Sequence, residues 1–407
     1  MTSSDLPIRC EVLVVGAGPA GSACAQWLAR AGRDVLLVDQ HDFPRDKVCG
    51  DGLIPDAHRA LARLGVLEEV MALAQRVRHV GCIGPRGGRI DVPGSLSVLP
   101  RRELDHVIQR AALRAGARWQ VAKFLAPLME GERVAGARLG TAGGPRAVHA
   151  KHVVLATGAV PQALLAAGLC ERRTPSGVAL RGYVRNPAMA GRITEMEVVW
   201  HRKLRPGYGW IFPCRDGVFN IGVGVAHSHA KARDGRHTMQ EVNLREMFDA
   251  FCTFYAPARA LMQGGALLGG LKGAPLRCSL EGARYTRPGL LATGEALGST
   301  YAFTGEGIGK AMETGLLAAQ ALLAPGLDDE ACRAKYEAEI SALKPRFDLY
   351  EQANRVNEPP WLADLHIWRA NRSARILRRM EGVLEETGNP GNLVTLRGLT
   401  RLFLPIR

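Results

Sequence analysis

The chain has 407 residues, 47% hydrophobic and 23% charged, which is enough for a large core in the ordinary balance of a soluble enzyme. No apolar run reaches the ~20 residues of a membrane-spanning helix, and the first one, "EVLVVGAG", reads as a core strand rather than a secretory leader. The net charge of +14 suits an anionic membrane surface or a phosphorylated substrate, but dispersed basic residues without interleaved aromatics speak against nucleic acid. Nine scattered cysteines (10, 24, 49, 82, 170, 214, 252, 278 and 332) with no Cys-x-x-Cys argue against zinc or a disulfide framework, and for a reducing cytoplasm.

From Cys10 to Gln40, "CEVLVVGAGPAGSACAQWLARAGRDVLLVDQ" reads as a buried strand, a glycine turn, a helix and a second strand ending in an acid. Gly16, Gly18 and Gly21 form G-x-G-x-x-G. The first permits the tight turn, the second lets backbone approach a pyrophosphate, and the third lets helix pack on strand. The helix start at Pro19 and Ala20 offers free N–H groups and a positive dipole end to phosphates. Asp39 is placed to accept both hydroxyls of an adenosine ribose. A dinucleotide is expected here, the unit by itself leaving FAD and NAD open. Just beyond, "FPRDKVCGDGL" (Phe43–Leu53) places Cys49 beside Gly50 and Gly52, ahead of a predicted helix, "IPDAHRALARLGV". A helix N-terminus with Arg45 and Lys47 nearby would lower a thiol's pKa; a small buried cysteine next to a turn is the plainer reading. The two glycines would let backbone lie against a planar ring. "RRELD" (Arg101–Asp105) then opens another helix.

Downstream, "KHVVLATGAV" (Lys151–Val160) is a further apolar strand that returns the chain to the cofactor at Thr157 and Gly158. In "PGYGWIFPCRDGVFNIGVGV" (Pro206–Val225), alternation puts Tyr208, Trp210 and Phe212 on one strand face. Gly222 and Gly224 would remove bulk opposite. Strand-like segments over 166–279 predict an antiparallel sheet. His227, His229 and His237 read as solvated rather than as metal ligands, and no metal is expected. "GLLATGEALGSTYAFTGEGIGKAMETGLLAAQAL" (Gly289–Leu322) reads as a strand ending in Gly294-Glu295-Ala296, then a glycine-rich loop and a helix starting near Thr304-Gly305-Glu306-Gly307. A carboxylate at that strand end suits a ribityl hydroxyl, and a helix N-terminus suits the negative charge of a reduced flavin. Three separated glycine elements serving one cofactor point to FAD. The tail is predicted helical. In "HIWRANRSARILRRMEGVLEE", Ile376, Met380, Val383 and Leu384 share one face among Arg372, Arg375, Arg378 and Arg379. That face either docks on its own protein or lies on an anionic membrane.

Pro44-x-x-Lys47-x-Cys49-Gly50-x-Gly52, and Tyr208-x-Trp210-x-Phe212-Pro213 followed by Gly222-x-Gly224, resemble the paired elements of the geranylgeranyl reductase family. These are flavoproteins of the p-hydroxybenzoate hydroxylase-like fold, and their relatives include digeranylgeranylglycerophospholipid reductases and the menaquinone side-chain reductase. The resemblance covers most of residues 10–325. It implies an α/β protein in which a discontinuous Rossmann-type FAD domain (1–80, 100–165 and 280–330) meets an antiparallel-sheet substrate domain (81–99 and 166–279), with a helical C-terminal region over 331–407. It also implies cofactor contacts at Gln40, Val121 and Ile308 and from the Arg101 helix, a cavity lined by Tyr208, Trp210 and Phe212, and Cys49 as the candidate catalytic contact beside the flavin. The implied reaction is saturation of C=C bonds in an apolar isoprenoid substrate, with electrons from NADPH or a ferredoxin-type protein. Ala156-Thr157-Gly158 stands where many relatives have Ala-Asp-Gly, which loosens the case for direct NADPH use. Glu295 replaces the family's usual aspartate and still reaches a hydroxyl. Rival readings are an FAD monooxygenase or other tailoring oxidase, which the same fold supports, and a flavin-binding sensor without turnover, for which nothing in the chain speaks.

Overall fold

A computed structural model describes residues 7–171, 174–226, 229–231, 237–239, 242–359 and 361–403. The chain begins with β1 (Arg9–Val15), α1 (Pro19–Arg30) and β2 (Val35–Asp39). Val12, Leu13, Val14 and Val15 are all buried, as in an interior parallel strand covered on both faces. The chain then leaves this layer through β3 (Gly52–Leu53), α2 (Pro55–Leu64), α3 (Leu67–Leu73) and the hairpin β4 (Gln75–Ile83) and β5 (Arg89–Val98). Proline at its first position and Gly65 in the left-handed region delimit α2. From α4 (Arg101–Arg114) the chain returns through β6 (Arg118–Val121), β7 (Lys123–Glu130), β8 (Arg133–Thr141), β9 (Gly144–Leu155) and α5 (Gln162–Ala166). A second excursion comprises β10 (Gly177–Arg185), β11 (Met196–Val199), β12 (Tyr208–Pro213), β13 (Val218–Ala226), the small pair β14 (His229–Lys231) and β15 (His237–Met239), α6 (Leu244–Phe254), α7 (Ala256–Gln263) and β16 (Ala266–Leu276). The chain closes with β17 (Thr286–Arg287), β18 (Leu290–Ala292), α8 (Ile308–Leu323), α9 (Asp329–Ala353), α10 (Trp361–Ala370), α11 (Ala374–Leu384) and α12 (Leu396–Thr400).

Two large sheets result. The first runs β17-β18-β9-β1-β2-β6, parallel from β18 to β6, with β7 and β8 attached to β9 as an antiparallel meander. The second runs β16-β10-β13-β12-β11-β4-β5-β3 and is antiparallel except where β11 meets β4. All of β4 belongs to this second sheet, so the boundary expected at residue 80 falls inside a strand rather than between layers. Against the first sheet, α1 and α8 pack at backbone contact. A Cβ on Gly21 would collide with the Gly16 carbonyl oxygen, and one on Gly315 with the Ala20 carbonyl oxygen.

Two expectations are corrected. The strand read as ending at Gly294-Glu295-Ala296 stops at Ala292, and Gly294–Leu297 is a short 3-10 turn whose first residue sits at φ +69 against the Ala20 side chain. The helix read over residues 366–386 is two helices, α10 and α11, broken at Asn371–Ser373, where the Asn371 amide donates to the Arg89 carbonyl 2.8 Å away. After β15 the chain forms α6, capped by the Asn243 side chain, and α7, opened by Pro257. His227 lies outside the described residues, as do the side chains of His229 and His237. Among the described residues, no helix is long and apolar enough to cross a membrane.

Candidate active site

A cavity of about 710 Å³ lies between the two sheets and the start of α8. At one end, Gly16, Gly18, Pro19 and Ala20 line it, together with Asp39 and Gln40. Gly16 sits at φ +101 with the Ala156 carbonyl where a Cβ would be, so only glycine makes this turn. Asp39 caps the turn by accepting the Ala17 N–H at 2.9 Å, and α1 starts at Gly18 without a side-chain cap, leaving its first N–H groups available. Two guanidiniums converge on the same opening. The Arg45 and Arg101 Nη2 atoms lie 3.6 and 3.9 Å from where a Gly18 Cβ would stand. Both arginines are held by Asp105, which is fully buried. It accepts Arg101 through both oxygens at 2.6 and 2.9 Å and faces Arg45 at 3.1 Å. Backbone N–H groups at a helix start, two arginines and a ribose-positioned acid form a cradle that fits a pyrophosphate-linked dinucleotide.

Lys47, Cys49, Gly50, Thr157, Gly158, Glu295, Gly305, Gly307 and Ile308 carry the lining onward. Gly21, Val121, Gly222 and Gly294 do not line the cavity. Gly21 and Gly294 serve packing, and Val121 is 37% exposed at the end of β6 opposite Asp39, while its neighbours Ala122, Lys123 and Phe124 reach the cavity instead. Gly222 was expected to clear space for a ring above the sheet; the ring it clears space for is the indole of Trp210, which a Cβ there would strike.

The aromatic wall is present. Trp200, Tyr208, Trp210 and Phe212 follow one another with ring centroids 6.2, 6.3 and 6.4 Å apart, and all four line the cavity. Trp200 was missed because it falls just past β11, outside any motif. The Tyr208 phenol donates to the Thr304 carbonyl at 3.0 Å, pinning the glycine loop ahead of α8 to the second sheet. The glycines of the Cys49 run pack on this wall. A Cβ on Gly50 would stand 3.4 Å from the Phe212 ring and 3.6 Å from the Trp210 nitrogen, and one on Gly52 only 2.6 Å from Met196.

What joins the two motifs is a buried polar network that the sequence did not announce. Asn220 accepts the Trp210 indole N–H at 2.9 Å and donates to the Cys49 carbonyl at 2.8 Å and the Asp51 carboxylate at 2.7 Å. Asp51, at φ +66, also accepts the Tyr183 phenol at 2.5 Å and the Arg101 N–H at 3.2 Å. Burial nonetheless pushes the Asp51 carboxyl up to about 6. Arg181, 1% exposed, stacks on Tyr183 and donates to Asp46 and the Lys47 carbonyl. The only sequence cue for this set is polar residues at inward positions of strands read as apolar.

Cys49 follows the plainer of its two readings. Burial raises its thiol above the ordinary value, Arg101 opposes that and the Asp51 charge adds to it, so the group is a thiol at neutral pH rather than an activated thiolate. Its cationic neighbour is Arg101; Arg45 and Lys47 do not set its charge state. The apolar face of α11 resolves the other open choice. Ile376 is 2% exposed, and Met380, Val383 and Leu384 form part of the cavity wall, so that face is docked on the protein.

Fold and site together define an FAD-dependent oxidoreductase. A family model described as an FAD binding domain matches residues 9–220, more than half of the chain. A menaquinone reductase from Mycolicibacterium smegmatis is 34% identical over 348 residues, spanning 79% of this chain and 78% of that protein. A digeranylgeranylglycerophospholipid reductase from Methanoculleus marisnigri is 28% identical over 354 residues, 82% of each. Among solved structures, a geranylgeranyl bacteriochlorophyll reductase-like protein from Thermoplasma acidophilum superposes with a TM-score of 0.66 at 22% identity, over 97% of this chain and 95% of that one. A flavin-dependent brominase does so at 0.74 and 19%, over 97% and 98%. The chain belongs to the geranylgeranyl reductase family of FAD flavoproteins.

Proposed function

We propose that this protein saturates C=C bonds of an isoprenoid chain carried by a quinone or lipid. The observation that carries the reading is the aromatic and glycine wall over the cavity, built from the two motifs shared with the reductases and locked together by Asn220. The cofactor supplies a hydride when reduced. The chain's own residues do the rest. The Gly16–Ala20 turn, Asp39, Arg45 and Arg101 hold the dinucleotide end. Thr157, Gly158, Glu295, Gly305, Gly307 and Ile308 hold the flavin end, and Cys49 and Gly50 stand beside it. Tyr208, Trp210 and Phe212 grip the apolar chain and keep water out, which strengthens every charge interaction inside. Electrons come from NADPH or a reduced ferredoxin-type protein.

The test is mass spectrometry of products after reduced holoenzyme is offered menaquinones and digeranylgeranyl lipids. Each bond acted on should gain two hydrogens. Gain of one oxygen instead would establish the monooxygenase reading, and no product with any of these substrates would overturn the substrate class. Bleaching of the flavin by NADPH, compared with reduced ferredoxin, identifies the donor.

The substrate class calls for peripheral contact with the inner membrane face, from a cytoplasmic location. The surface that supports it is not the apolar face of α11. Trp368 and Phe403 are 46% and 56% exposed, with centroids 6.5 Å apart and Arg372 over the Trp368 ring at 4.8 Å. Beside them, burial and the nearby charges of Arg375 and Arg401 lower the Arg379 pKa, which marks this surface as positively charged. Co-sedimentation with phosphatidylglycerol vesicles, weakened by salt and by Trp368→Ala with Phe403→Ala, is the expected result; equal binding to phosphatidylcholine would remove the electrostatic part of the argument.

A further inference from the structure

Behind the glycine loop ahead of α8 lies a group of buried charges that the cofactor cradle does not use. Glu306 lines the cavity, and its Oε2 is buried without a hydrogen-bond partner. Asp56, the second residue of α2, is 6% exposed, and neither of its carboxylate oxygens has a hydrogen-bond partner. Gly309 leaves the space this carboxylate occupies, since a Cβ there would overlap it. Lys310 is the cation buried among them. Its Nζ lies 2.6 Å from Glu313, 2.8 Å from Glu386 and 3.8 Å from Asp56. Glu386 also accepts the Tyr301 phenol at 2.7 Å and reaches the half-exposed Arg59 and Arg346 at 3.1 and 3.6 Å. Around Glu306 the charged and titratable groups are therefore Asp56 from α2, Lys310 from α8, Glu386 after α11, Tyr208 from β12 and Tyr350 from α9.

Four carboxyls share one buried lysine, and that lysine is taken at hydrogen-bond distance by two of them. The remaining two, Asp56 and Glu306, cannot both be ionised in so little water. Burial together with the Asp56 and Glu386 charges holds Glu306 protonated well above the usual carboxyl range, and burial, against the pull of Lys310, raises Asp56 to about 7. The group thus runs from the cavity wall at Glu306, through Asp56 and Lys310, to Glu386 and the surface arginines.

We propose that Glu306 is the catalytic acid for saturation and that Asp56, with Lys310 and Glu386, returns its proton from solvent. This rests on the reductase reading. In the step, the Glu306 carboxyl would give a proton to one alkene carbon while the other receives the hydride that reduced FAD would supply when bound, leaving FAD oxidised. The π bond breaks and two C–H bonds form. Glu306 would be left as a carboxylate that takes a proton from Asp56, and Asp56 would regain one from water, while Glu386 stays ionised against Lys310, Arg59 and Arg346. Cys49 then orients rather than donates.

The experiment uses FAD-loaded protein and the Glu306→Gln and Asp56→Asn variants. Infrared spectroscopy above neutral pH, where Asp51 and Asp56 are ionised, should still show a protonated-carboxyl C=O band in the wild type that Glu306→Gln removes; its persistence in that variant would overturn the assignment, with or without a substrate in hand. With a polyprenyl quinone, Glu306→Gln should lose roughly 10²-fold or more in single-turnover saturation, the range of a general acid, while KM stays near wild type. The alkaline limb of the rate profile should vanish with it. Asp56→Asn should leave single turnover intact and slow only repeated turnovers; equal loss in both would remove the relay. Wild-type speed and pH profile in Glu306→Gln, or their loss in Cys49→Ala alone, would transfer the acid's role to the thiol. Failure of the wild type to saturate any isoprenoid is a different result, and it would count against the reductase reading while the infrared band decides the charge state.

Discussion

Asp105→Ala should lower the unfolding free energy by about 3–5 kcal/mol and empty the protein of flavin. Asp105 is fully buried on α4 and holds both cradle arginines, Arg101 through two hydrogen bonds and Arg45 at 3.1 Å. Arg101 is 7% exposed, so deleting the carboxylate leaves a cation inside the protein without its bidentate partner. Breaking one side of a buried pair is far more damaging than the pair's net worth, because the surviving charge retains its desolvation penalty. Arg45 retains Asp39 at 3.6 Å and is expected to swing toward it, moving away from Asp105. Both guanidiniums then leave the space beside Gly18. Asp105→Asn keeps one acceptor and should fall between the two. Urea unfolding of the flavin-free protein measures the first effect, and flavin absorbance per protein measures the second. A loss under 1 kcal/mol with full flavin occupancy would show that Asp105 anchors neither arginine.

The cofactor half of this site was legible because its chemistry is written in backbone. Gly16, Gly18 and the loop at Gly305–Gly307 stand where a side chain would collide or block, so the spacing of glycines reports the geometry directly. The aromatic strand was legible for a similar reason, since alternation places Tyr208, Trp210 and Phe212 on one face whatever the tertiary context. What alternation could not tell was what those rings and glycines meet. Gly222 proved to accommodate Trp210 itself, and Gly50 and Gly52 to lie on the wall. Long-range polar contacts left no periodic trace: Asn220 sits 169 positions from Asp51, and Asp56 reads as an ordinary acid in a helix's first turn. The charge state of Cys49 followed the plainer of its two readings, and the competing one failed for a related reason. Sequence neighbours suggested cations, whereas burial, which sequence does not display, sets the thiol.

Asn220→Ala should cost about 1–3 kcal/mol and reduce C=C saturation by roughly 10²-fold, without touching the cofactor cradle. The amide is the bridge between the second sheet and the Cys49 loop, so its loss leaves the Trp210 N–H, the Cys49 carbonyl and one Asp51 oxygen short of partners. The loop is then free to shift against the aromatic wall, and a small displacement of groups beside a reacting centre is enough to spoil alignment. A pH signature separates this from general loosening. Asp51 sits at about 6 in the fold, above the ~3.9 of an unfolded aspartate. The fold therefore binds that proton more tightly than the unfolded chain does. The stability this contributes is complete below about pH 4 and is lost as pH rises through 6. Removing the Asn220 donor takes away support for the carboxylate and moves the folded value higher, so in the variant the loss should extend to higher pH. Urea unfolding of wild type and variant between pH 4 and 8 reads this as a difference, with Asp51→Asn as the control in which the Asp51 part of the dependence disappears. Parallel stability curves for wild type and Asn220→Ala would mean that Asp51 takes its support from Tyr183 and the Arg101 N–H alone, and that the two motifs are joined by packing rather than by this amide.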